Sequence, residues 1–128
     1  MTDSEHDPRY LQGIKYFNDC DFFEAHEVWE ELWADLQGGE SRKFYQGLIQ
    51  VAVCLHHFVD GNIRGAKKLY VSSTDYLRPY APSYADLDLK RLMSELEHCC
   101  AEILASTEEF PNIEIDPDKI PDIHLTTQ

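Results

Sequence analysis

Apolar residues fall at helical spacing almost throughout this chain. Tyr10, Leu11, Ile14 and Phe17 predict a first helix from about Arg9 to Asn18. Asp19-Cys20-Asp21 reads as a turn, and Asp21 followed by Glu24 has the capping-box pattern that opens a second helix. Gly38-Gly39 stops that helix after Gln37. The third helix, about Ser41 to Val59, is apolar nearly all round and is expected to be the central one. Asp60-Gly61-Asn62 breaks it. Asn62 caps a fourth helix that runs to about Leu77, where Arg78-Pro79 ends it because proline disfavours the α conformation before itself. Ser83 with Asp86 predicts the cap of a long last helix reaching about Ser106, in which Leu89, Leu92, Met93, Leu96, Cys99, Cys100, Ile103 and Leu104 follow the i, i+3, i+4, i+7 rule.

The pattern changes at Glu108. Pro111, Pro117 and Pro121 forbid a long helix, while Ile113, Ile115, Ile120 and Ile123 supply apolar contacts. The tail therefore either lies extended on the body or is disordered. A weak internal repeat aligns Asp21-Phe-Phe-Glu-Ala25 with Asn62-Ile-Arg-Gly-Ala66, each opening the second helix of a hairpin. The expectation is an all-α fold of about five helices. Two stacked antiparallel helical hairpins, packed as in tetratricopeptide units, are followed by a long C-terminal helix. The helical domain would span residues 1–107 and the extended, proline-containing tail 108–128.

Composition narrows the function classes. Of 128 residues, 24 are acidic and 11 basic, for a formal charge of −13. That argues against a nucleic-acid partner, which needs clustered Lys and Arg. No apolar run approaches a membrane span, and Met1 to Pro8 has no secretory pattern, so a soluble, cytoplasmic protein without a membrane partner is expected. Cys20, Cys54, Cys99 and Cys100 lack CxxC spacing and read as reduced core residues rather than a disulfide framework.

The densest chemistry lies on the second helix. His26 and Glu30 stand one turn apart at the rim of a face carrying Phe22, Ala25, Trp29, Leu32 and Trp33. Counting outward from Gly39, Gln46 and Gln50 of an antiparallel third helix fall near the levels of Glu30 and His26. A cluster of His26, Glu27, Glu30, Gln46 and Gln50, walled by Phe22, Trp29 and Trp33, would suit a small polar or anionic ligand, or proton transfer. The competing expectation is internal: buried polar side chains between helices usually satisfy one another, and both tryptophans are core. His26-Glu27-Val28-Trp29-Glu30 is also a variant of the HExxH zinc motif. His26 and Glu30 could ligate a divalent metal such as zinc with Glu27 as base, completed by His56 or His57, although His57 lies about 7 Å beyond the level of His26 at 1.5 Å per residue. Arg42 could pair with an acidic residue across the glycine loop or bind an anion. No nucleophile elbow and no phosphate-binding glycine loop occur.

The blocks Phe23-Glu24-Ala25-His26-Glu27-Val28-Trp29-Glu30 and Gln46-Gly47-Leu48-Ile49-Gln50, with Trp33, Gly61-Asn62 and Gly65-Ala66, resemble the domain-of-unknown-function family numbered 309. The resemblance covers roughly Tyr10 to Leu77. It implies a small all-helical fold found in bacteria and archaea, and it implies no activity. The resulting expectation is a binding or scaffold module with a polar pocket around His26 and no cofactor, taking a small polar ligand or a protein partner. The alternative is a metal-dependent hydrolase using the HExxE segment. A homodimer through the long last helix is a further expectation.

Overall fold

The computed structural model describes residues 6–126. Helices α1 (Pro8–Asn18), α2 (Phe22–Asp35), α3 (Arg42–Val59) and α4 (Ile63–Leu77) are followed by a two-residue-per-strand hairpin, β1 (Ser83–Tyr84) and β2 (Leu87–Asp88), and by α5 (Leu89–Ala105). Among the described residues the fold is thus helical apart from that small hairpin and the 3-10 turns at Arg78–Tyr80 and Pro117–Lys119.

Contacts at the helix ends fix the directions. Arg9, at the start of α1, donates to Asp35 at the end of α2 (2.7 Å). Arg42, at the start of α3, donates to the carbonyls of Trp33 (3.3 Å) and Leu36 (2.6 Å) at the end of α2. Gly47, near the start of α3, meets Leu77 at the end of α4, while the Cys54 thiol donates to Ala66 O near the start of α4. Successive helices therefore run antiparallel. Short connections force this, and the Gly38-Gly39 link adopts positive φ (105° and 93°), which a side chain would strain.

Two close approaches set the packing. A Cβ on Gly13 would stand 2.0 Å from Trp29 Nε1. The bare α1 backbone lets the indole approach closely and donate to Tyr10 O (3.2 Å). Gly47 does the same for α4, where a Cβ would come within 2.6 Å of Leu77. The core continues through Phe17, Phe44, Leu48, Leu55, Leu92 and Leu96, all buried. Removing such side chains from water is the main stabilising contribution, at about 25 cal/mol per Å² of apolar area.

Helix caps partly follow the expectations. The Asp7 carboxylate caps α1, accepting from Arg9 N (2.8 Å), and the Arg9 side chain holds its pKa below the usual carboxylate value. Asn62 caps α4 through Gly65 N (3.0 Å). The capping box at Asp21 does not form, since no side-chain hydrogen bond closes it. Nor do Ser83 and Asp86 open the last helix. They belong to the β1–β2 hairpin, where Ala85 and Asp86 take positive φ (51° and 63°), and Asp88 caps α5 through Arg91 N (3.1 Å).

The tail lies on the body. Asn18 exchanges two hydrogen bonds with Ile123, donating to its carbonyl (3.0 Å) and accepting from its N–H (2.7 Å). Leu125 bridges Leu87, and Asp88 N donates to His124 O (2.9 Å), so the last described residues extend the hairpin. Ile123 is buried. Cys54, Cys99 and Cys100 are buried free thiols, and Cys20 is an exposed one. No described helix is long and apolar enough to cross a membrane.

Candidate functional site

The α2 surface holds His26 against its own helix. Its Nδ1–H donates to Phe23 O (3.2 Å), and since a carbonyl only accepts, this bond requires a proton on Nδ1. Nε2 then faces Glu30 Oε2 at 3.6 Å, an i, i+4 ion pair when the ring is charged. The His26 side chain keeps 20% of its exposure, and Glu30 keeps 57%. Phe23, half exposed, stacks between His26 (5.5 Å between centroids) and His56 of α3 (5.9 Å). His56 repeats the arrangement with Asp60 at 3.4 Å. Glu27 is exposed, consistent with a solvated face.

The other expected site residues are distributed differently. Trp29 is fully buried behind α1, so it lines no surface. Trp33 is half-buried, with the Arg42 guanidinium stacked over its ring at 3.9 Å. Arg42 thus reaches across the glycine loop to carbonyls at the end of α2, through Nη1, rather than to an acidic side chain among the described residues. Gln50 follows Gly47 by three residues and precedes Cys54 by four, and both of those touch α4. Gln50 therefore lies on the α4 side of α3, about a quarter-turn or more from the His56 side that meets α2. Among the described residues, no hydrogen bond joins His26 or Glu30 to Gln46, Gln50 or Trp33.

Two atoms in this region are anomalous. Trp33 Nε1, a donor, and Gln50 Oε1, an acceptor, are both shielded from solvent and have no hydrogen-bond partner among the described residues. Native proteins leave few buried polar atoms unpaired, and each exception needs a cause.

The metal constellation is not assembled. Among the described residues no group of three or more His, Cys, Asp and Glu side chains could hold an ion. His57 turns toward the α3–α4 corner, where its Nδ1 meets Asn62 Nδ2 (3.2 Å). It is thereby kept from the pair His26–Glu30.

Sequence reasoning missed one place altogether. A cleft of about 750 Å³ opens beside the start of α3 and the end of α4, lined by Lys43, Lys68, Val71, Asp75, Tyr76 and Tyr80 among others. The signal was available in the charge distribution. Residues 42–78 carry six basic side chains and only two acidic ones, in a chain with 11 basic and 24 acidic.

The fold and its exposed chemistry define a protein of antiparallel helical hairpins. Residues 10–69 match the family described as a domain of unknown function, DUF309. The match begins in α1 and ends within α4. The chain is 36% identical over 76 residues to the uncharacterized protein YpuF of Bacillus subtilis, covering 59% of this chain and 44% of that one. An uncharacterized protein of Aquifex aeolicus is 43% identical over 53 residues, covering 41% of this chain and 16% of the relative. The chain thus spans less than half the length of these curated relatives.

Proposed function

We propose that this chain is a binding module, and that its ligand crosses the outer face of α3 from Trp33 on α2, past Gln46, to Gln50 on the α4 side, with His26 and Glu30 at the α2 edge. The observation that carries this reading is the unpaired donor Trp33 Nε1 and the unpaired acceptor Gln50 Oε1. An unmet buried polar group costs about 1–3 kcal/mol, so a site that retains both gains when a partner of the right polarity enters. A small molecule with a carbonyl or carboxylate and an amide or ammonium group meets both needs. His26, held by Phe23 O and Glu30, supplies a polar rim.

The two indole N–H groups give the test its readout. Trp29 Nε1 is bonded to Tyr10 O and reports on the core, while Trp33 Nε1 reports on the groove. Titration of the ¹⁵N-labelled protein with free amino acids and small amides is expected to move the Trp33 indole resonance saturably and leave that of Trp29 in place. Gln50→Leu is expected to abolish the response. A Trp33 resonance indifferent to every compound in the set contradicts the reading.

A further inference from the structure

The lysine cleft at the α3–α4 end is separate from that groove and does not depend on it. Its two ammonium groups, on Lys43 and Lys68, have no carboxylate within ion-pair distance among the described residues. Its one acid, Asp75, is engaged by Arg78 at 2.9 Å. The neighbouring hollow along α4 differs: there Arg64, Lys67 and Lys68 face Glu108 and Glu109, so both signs are present. Lys68 borders both hollows, and in the lysine cleft the one acid of the lining is already engaged by a further cation.

The walls are aromatic and fixed. Tyr80 donates its hydroxyl to Glu40 O, and its ring packs against Phe44 (5.5 Å) and Tyr84 (4.7 Å). Tyr76 is set by the close approach of α4 to Gly47, where an added Cβ would come within 3.2 Å of the tyrosine Cβ. Val71, 52% exposed, adds an apolar surface that water otherwise covers. The volume falls within the range of small-molecule sites, roughly 300–1,000 Å³. Lysines act as mobile point charges for phosphate, and tyrosine faces accept flat rings.

We propose that this cleft binds a small ring-bearing phosphate ester of nucleotide size, with Lys43 and Lys68 neutralising the phosphate and Tyr76, Tyr80 and Val71 contacting the ring. An acidic peptide satisfies the lysines but leaves the aromatic walls unused.

The test is an NMR titration of the full chain at low ionic strength with four probes: AMP, adenosine, inorganic phosphate and a hexaglutamate peptide. AMP is expected to give saturable shifts at the start of α3 and the end of α4, and to bind about tenfold or more tighter than each of the others. The Lys43→Gln/Lys68→Gln double variant changes two exposed side chains and is expected to fold normally. It should weaken AMP by about tenfold or more, since two charge-assisted contacts are lost. Lys15→Gln, on exposed α1 surface, should leave AMP binding unchanged. The proposal is overturned if AMP gives no saturable shift, if phosphate, adenosine or hexaglutamate binds as well as AMP, or if the double variant binds like the wild type.

Discussion

At the scale of single residues, the chain uses glycine as space. Gly13 sits inside α1, where alanine would be the better helix former by about 1 kcal/mol. It is required because the Trp29 indole occupies the volume its side chain would fill. Gly13→Ala is therefore expected to destabilise the protein by about 2 kcal/mol, overpacking outweighing the gain in propensity. Denaturant unfolding should report a lower midpoint with an unchanged slope. The same residue explains an error of reading. The helical wheel placed Trp29 and Trp33 on one face and could not say which of them a neighbouring helix would swallow. That depended on a glycine sixteen positions earlier in another element. Arg42 was misread for a related reason: its partners are carbonyls at the end of α2, and carbonyl acceptors leave no mark in the side-chain sequence.

At the scale of elements, all five helices were legible, because long periodic segments bounded by Gly-Gly, Asp-Gly-Asn and Arg-Pro leave little choice. The β1–β2 hairpin was not. It is two residues per strand, and its turn uses Ala85-Asp86 where Asn-Gly or Asp-Gly would have announced it. Ser83 and Asp86 carry the same side chains as helix caps, so local chemistry pointed the wrong way. The tail was legible only as a pair of alternatives, since its isoleucines and prolines fit both. What decides it is Asn18, whose amide makes two hydrogen bonds to Ile123 across 105 residues of sequence. Asn18→Ala leaves that backbone N–H and carbonyl unpaired. A loss of about 1–3 kcal/mol in the tail's docking is expected, read as faster limited proteolysis between residues 107 and 126 while α1–α4 stay protected from hydrogen exchange.

At the scale of the whole molecule, charge and fold divide the surface. The α3–α4 region is the basic pole of a protein of formal charge −13, and α2, α5 and the tail carry most of the acid. Like charges at that density repel, and salt screens them over about 10 Å at 0.1 M. The melting temperature is expected to rise between low salt and about 0.3 M sodium chloride, measured by calorimetry; a fall would mean that the surface ion pairs outweigh the repulsion. The composition revealed the net charge but not its segregation, which becomes meaningful only once α3 and α4 are known to lie side by side. The candidate groove was half legible for the same reason. His26, Glu30 and Phe23 share one helix and could be placed by spacing, whereas the position of Gln50 on the α4 side depends on the rotation of α3.

The most direct test of the binding-module account is the stability of Gln50→Leu beside the wild type, in buffer free of added ligand. If Gln50 Oε1 awaits a partner from outside the fold, replacing the amide with an apolar side chain of similar size removes an unmet need. The account predicts stability unchanged or raised, by up to about 1 kcal/mol. A loss of about 2 kcal/mol or more would contradict it, marking the amide as a satisfied structural group that the fold itself requires.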